Sequence, residues 1–159
     1  DQGTSWIKVP IDTVSNVKAI QPTIIKLKNG SLKALVRSDQ DYILESTSNN
    51  GGESWSVLKK INLPNPNSGI DAVTLSNGMH LLVYNPAPSG NDWSDGRNRL
   101  YLALSDDGTT WTEIYRFEDR KEGEFSYPAI IQDKDGNIHV TYTYNRKKIK
   151  YLKFKLQGL

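Results

Sequence analysis

The chain states one pattern three times: a strand, a turn built on Asn-Gly or Asp-Gly, and a second strand. Gln21-Pro22-Thr23-Ile24-Ile25-Lys26-Leu27-Lys28-Asn29-Gly30 runs into Ser31–Val36, Gly69–Gly78 into Met79–Tyr84, and Tyr127–Gly136 into Asn137–Tyr142. Asn-Gly and Asp-Gly supply the positive φ angles that a tight hairpin demands. The turn glycines Gly30, Gly78 and Gly136 are 48 and 58 residues apart. Self-similarity at that period means one supersecondary unit that buries its apolar face only against its neighbours. Helical periodicity is almost absent. With 36% hydrophobic and 24% charged residues the composition is globular, so an all-β stack with a real core is expected.

A second motif keeps the same beat. Ser48-Asn49-Asn50-Gly51-Gly52-Glu53-Ser54-Trp55 and Ser105-Asp106-Asp107-Gly108-Thr109-Thr110-Trp111 each follow a third strand and precede a fourth. Asp1-Gln2-Gly3-Thr4-Ser5-Trp6 is the same motif without its first two residues. A short acceptor side chain bonds the turn's own amides, Gly takes the unusual φ, and Trp plugs the gap between sheets. The period suits four-stranded propeller blades. Three sets are expected at about 20–60, 69–117 and 127–156, with residues 1–13, chiefly 6–11, as the outer strand of a preceding blade. About six blades are expected in the complete protein, the remainder lying upstream or on another chain.

These motifs resemble the Asp-boxes of the sialidase superfamily, the BNR-repeat branch of glycoside-hydrolase β-propellers, and the resemblance covers essentially the whole chain. Asn50 stands where the family has Asp, and the copy at Ser105 is one residue short. The family binds sugars on the face that carries the D–A and B–C connections, with the boxes opposite. That face holds Gln21, Arg37, loop 64–69, loop 86–98, loop 118–127, Tyr144 and Arg146. His80 and His139 follow the A–B turns, so a strand-surface role near the far face is expected for both.

Sialidases hold a substrate carboxylate with three arginines and use a tyrosine nucleophile, a glutamate that activates it and an aspartate acid/base. Arg37, seven residues after Gly30, falls where the second arginine does. Arg97, eight residues before Ser105, matches the family's Arg-x-x-Leu approach to an Asp-box, with Arg99 as the neighbour that could replace it, and the third arginine and the acid/base aspartate are expected in N-terminal blades. A guanidinium is a planar fork matched to a carboxylate; the alternative for either arginine is a solvated loop charge. Tyr127, nine residues before Gly136, matches the nucleophile, or packs at the head of an inner strand. The register of the activating glutamate, nine residues before Gly30, carries Gln21, which orients a phenol but takes no proton. Either Glu124 or Asp71 assumes the role, or the chemistry differs, or catalysis is lost. Asn67, Ser68 and Asp71 are candidate sugar contacts, although the prolines of loop 64–71 could serve only to stiffen a turn.

The resemblance thus implies a hydrolase acting on a terminal acidic sugar of a glycan. A non-catalytic carbohydrate-binding propeller and, further off, a uronic-acid lyase are the alternatives. No cofactor or metal is expected: there is no cysteine, and the two histidines stand singly. A net charge of +2 gives no support to nucleic-acid binding, and the basic run 146–155 alternates with apolar residues as the wet face of an edge strand. No run approaches the ~18 apolar residues of a membrane span. The family favours a secreted or periplasmic setting, and Asp1-Gln2-Gly3 does not read as a signal peptide.

Overall fold

A computed structural model describes residues 2–156 and contains eleven strands and no helix among them. The first sheet is β1 (Ala19–Lys26), β2 (Leu32–Ser38), β3 (Tyr42–Ser48) and β4 (Lys59–Pro64). The second is β5 (Asp71–Thr74), β6 (His80–Tyr84), β7 (Arg99–Ser105) and β8 (Thr112–Asp119). The third has β9 (Phe125–Gln132), β10 (Ile138–Tyr144) and β11 (Lys148–Phe154). All are antiparallel meanders, and β1, β5 and β9 lie side by side as inner strands.

The turns are tight for a reason slightly different from that expected. Gly30, Gly78 and Gly136 have φ of 87°, 83° and 79°, but the Asn or Asp before each does not lie at positive φ. Gly30 N donates to Leu27 O and Leu27 N to Ser31 O, each at 2.9 Å. This is a turn with one left-handed glycine, which needs only a single residue free of the Cβ clash.

Packing explains the continuous apolar run of β6. Leu82 and Tyr84 join Ile25, Leu35, Ile43 and Ala103 in the core between the first two sheets. Leu81 and Val83 point the other way, towards Phe125, Ile130, Val140 and Tyr142 of the third. A strand buried on both faces has no polar face to alternate with. Between the second and third sheets, buried Glu118 of β8 accepts from Tyr142 Oη at 2.8 Å, Lys150 Nζ at 2.6 Å and Arg120 Nε at 2.9 Å.

The box turns bond as their chemistry requires. Ser48 Oγ accepts from Gly52 N at 2.9 Å and Ser105 Oγ from Gly108 N at 2.8 Å. Asn50 Oδ1 accepts from Ser54 N at 3.0 Å, and Asp107 Oδ1 from the amides of Thr109 and Thr110 at 2.7 Å. Residues 6–11 belong to none of the eleven strands among the described residues. One expectation is corrected. His80 is not at the surface but fully buried, bonded through Nδ1 to Thr74 Oγ1 at 3.1 Å, since β6 is covered on both sides. His139 is half-buried beside the turn and lies within 3.0 Å of Asp133 Oδ2 and 2.9 Å of Tyr151 Oη.

Candidate functional site

Inner strands β1 and β9 open with the same device, an Xaa-Pro step. Proline donates nothing to a ladder, and the pairing slips at both places, between Ile20 and Thr23 in β1 and between Ser126 and Ala129 in β9. Gln21 and Tyr127, immediately before the prolines, have φ of 51° and 53°. Left-handed backbone in non-glycine residues costs roughly 1–3 kcal/mol each and persists where the surroundings enforce it. Such bulges re-aim side chains at sheet rims. The same register ahead of β5 holds Gly69, where a Cβ would stand 3.3 Å from Tyr127 Cδ1 and 3.5 Å from its Cα.

Arg37 of β2 and Arg97 of loop 86–98 are both buried, at 8% and 4% exposure. Asn67 holds them together. Arg37 Nε donates to Asn67 Oδ1 at 2.9 Å and its Nη2 to the Asn67 carbonyl; Arg97 Nη2 donates to that same carbonyl at 3.3 Å. Arg37 Nη1 also donates to Gln21 Oε1 at 2.7 Å. Arg97 Nε is buried with no hydrogen-bond partner among the described residues. The Arg97 guanidinium carbon lies 5.9 Å from the centre of the Tyr127 ring. Hydrogen bonding from Arg97 draws the Tyr127 phenol below its ordinary pKa against the opposing effect of burial, and the charge of Arg37 adds to the shift. Burial first, and Arg97 second, lower the pKa of Arg37.

Glu124 is part of this cluster but is not a free base. Its Oε1 accepts from Ser126 Oγ at 2.9 Å and faces Arg97 Nη1 at 3.5 Å, while Oε2 accepts from Arg146 Nε at 2.8 Å. It braces two arginines. Asp71 stands apart from them: Oδ1 accepts from Thr23 Oγ1 and Oδ2 from Ile130 N, each at 2.8 Å, tying β5 to both inner neighbours. Ser68 is fully buried and donates to Asn85 Oδ1 at 2.6 Å. The structure therefore brings together Gln21, Arg37, Asn67, Arg97, Glu124 and Tyr127, whereas Ser68 bonds Asn85 and Asp71 bonds Thr23 and Ile130. The box turns stay at the other end, where Trp111 and Leu27 both pack against the core between the first two sheets.

Trp93 escaped the sequence reading. It is 59% exposed, and its ring lies 4.2 Å from the Arg146 guanidinium carbon and 5.1 Å from that of Arg97. Its signal was a lone aromatic in a long polar loop four residues before an arginine. Trp93 joins Arg37, Pro66, Asn67, Asp95 and Arg97 around a hollow of about 330 Å³. Two buried guanidiniums that share the neutral carbonyl of Asn67, one of them beside a phenol, suit an anionic ligand.

The sequence profile of the BNR repeat-like domain matches residues 1–140. The chain belongs to that family. This BNR repeat-like chain is 24% identical over 155 residues to the anhydrosialidase of Macrobdella decora, a match covering 89% of the chain and 20% of that relative. It thus spans about a fifth of the curated relative's length. Among solved structures, the leech intramolecular trans-sialidase in complex with 2,7-anhydro-Neu5Ac superposes with a TM-score of 0.71 at 21% identity, over 98% of this chain and 26% of that one. The intramolecular trans-sialidase of Ruminococcus gnavus gives 0.72 at 22% identity, over 100% and 37%. NanB sialidase of Streptococcus pneumoniae gives 0.73 at 19%, over 98% and 26%. At those identities the structures show the fold, and the BNR repeat-like chain shares the sialidase-type arrangement of antiparallel sheets.

Proposed function

We propose that this chain carries the carboxylate-binding half of the site of a sialidase-like glycoside hydrolase whose substrate is a terminal acidic sugar of a glycan. The observation that carries this reading is the Arg37–Asn67–Arg97 clamp beside Tyr127. An incoming carboxylate takes up the free Arg97 Nε and competes with Asn67 for the two guanidiniums, exchanging neutral acceptors for a charged one. Tyr127 is the nucleophile facing the anomeric carbon: a phenol, neutral until it reacts, does not repel the sugar acid as a carboxylate would. Its lowered pKa comes from the arginines, since Gln21 accepts no proton. Retaining hydrolysis also needs an acid/base, which further blades of the complete protein supply.

A second reading, a binding propeller without turnover, is favoured by one observation: Gln21 is committed to Arg37 and both oxygens of Glu124 are occupied. One experiment addresses both. Calorimetric titration of the chain with the α-methyl glycoside of N-acetylneuraminic acid should show binding, methyl β-galactoside should show none, and Arg37→Ala should weaken the former at least about tenfold. Equal binding of the neutral sugar would sink the anionic-site reading. In parallel, the chain alone should release no fluorescent aglycone from a sialoside. Turnover that disappears in Tyr127→Phe would overturn the assignment of the acid/base to other blades.

A further inference from the structure

The turn between β10 and β11 puts an arginine where a tight hairpin prefers glycine. Lys147 N donates to Tyr144 O at 3.1 Å, and the two residues inside the turn, Asn145 and Arg146, have φ of 51° and 52°. A turn with both central residues at positive φ favours Asn-Gly. Asn tolerates that region because its short side chain bonds locally, whereas a long side chain there carries a steric cost. Strain of this kind clusters at functional sites, where the surroundings enforce it. The contacts of Arg146 supply a reason for it. Its Nε donates to Glu124 Oε2 at 2.8 Å, and its guanidinium carbon lies 4.2 Å from the centre of the Trp93 ring.

Each contact leads to Arg97. Glu124 Oε1 faces Arg97 Nη1 at 3.5 Å, and the Trp93 ring centre lies 5.1 Å from the Arg97 guanidinium carbon. The same turn fixes Glu124, whose N donates to Asn145 Oδ1 at 2.9 Å and whose O accepts from Asn145 N at 2.7 Å. Arg37 stands within β2, paired with Ile20 of β1. Arg97 instead closes loop 86–98, between β6 and β7. That loop is tied to the first sheet by Ser89 N on Asp41 Oδ1 at 2.8 Å, and to the third by Arg146 on Trp93. We propose that Arg146 is a positioning residue: stacked on Trp93 and paired with Glu124, it holds loop 86–98 so that Arg97 faces the ligand carboxylate. These contacts all lie between the second and third sheets. The role of Arg146 rests on the anionic-site reading for what Arg97 binds, whereas the place of Arg97 beside Tyr127 is a separate observation. A cation over an indole and a partly exposed ion pair are each modest, but together they bias a loop. Lowering the competent fraction of the loop to about a tenth weakens apparent affinity about tenfold with every ligand contact unchanged.

Two substitutions separate the side chain from the backbone. Arg146→Gly and Arg146→Ala both remove the guanidinium, and only glycine also relieves the positive φ. Arg146→Gly should therefore melt roughly 2–4 °C above Arg146→Ala. Both should weaken binding of the α-methyl glycoside of N-acetylneuraminic acid by the same factor, about tenfold. In the ligand-free chain, the Tyr127 ionisation step, which Arg97 draws below 10.0, should move upward equally in both variants. A residue that merely stabilised the fold would give the larger losses in Arg146→Ala, in step with its lower Tm, and that pattern would overturn the proposal. So would a Tyr127 step at its wild-type place in both variants, or a wild-type chain without such a step. Equal binding of the acidic and neutral glycosides by the wild-type chain would sink the anionic-site reading alone. The Tyr127 step, read without ligand, then decides whether Arg146 places Arg97.

Discussion

Replacing Asp71 by alanine removes one carboxylate that serves three inner strands. Oδ1 accepts from Thr23 Oγ1 at 2.8 Å and from Ala72 N at 3.0 Å, and Oδ2 accepts from Ile130 N at 2.8 Å. Thr23 keeps its contacts to the backbone of Ala72 at 3.1 and 3.3 Å, so the uncompensated loss falls on the Ile130 amide. Ile130 is only 3% exposed, which leaves that donor without water. A hydrogen bond to a charged group contributes about 1.5–3 kcal/mol, and an orphaned buried donor about 1–3. The loss for Asp71→Ala should therefore be about 3 kcal/mol. Asp71→Asn keeps one acceptor and turns a donor towards the other amide, so about half that loss is expected. For a domain of this size 3 kcal/mol lowers Tm by roughly 6–12 °C. Urea unfolding should show a lower midpoint at constant slope, and exchange of the Ile130 amide should accelerate first. A change under about 0.5 kcal/mol would refute the three-strand tie. So would a loss of acidic-sugar binding at unchanged stability, which would return Asp71 to the ligand.

Two further tests concern titration. Hydrogen bonds from the amides of Thr110 and Thr109 hold the Asp107 carboxyl at about 2, below the ordinary 3.8, against the small opposing effect of burial. A depressed carboxyl stabilises the fold above its unfolded pKa, and that contribution is lost as pH falls from about 3.8 towards 2. Asp107→Asn should remove this acid sensitivity and be tolerated at pH 7, because Asn50 fills the same role in the first sheet; an unchanged acid limb would count against it. Ultraviolet titration should find one tyrosine ionising below the ordinary value of 10.0. That step should vanish in Tyr127→Phe and move upward in Arg97→Ala; a step unmoved by loss of Arg97 would refute the arginine–phenol coupling.

The architecture was legible because its causes are local. A turn glycine and a box whose acceptor bonds its own amides act within a few residues, so a linear reading finds them at Gly30, Gly78, Gly136, Ser48 and Ser105. Register then sorted Arg37, Arg97 and Tyr127 onto one end, because strand direction alternates regularly. Glu124 was legible as a carboxylate on the right face, yet its partners Ser126, Arg97 and Arg146 meet only when loops from the second and third sheets approach.

Sequence by itself determined the all-β class, the three repeats, the family and which arginines and tyrosine share a face. Tertiary structure alone decided what each polar group does once there. It made Asp71 a tie between strands, buried Ser68 and His80, and placed Trp93 against two guanidiniums. The division has a physical reason. Strand and turn formation depend on periodicity and backbone freedom, which neighbours in sequence supply. Burial and hydrogen-bond partnership depend on which sheets come within a few ångströms, and that is settled only when the sheets pack.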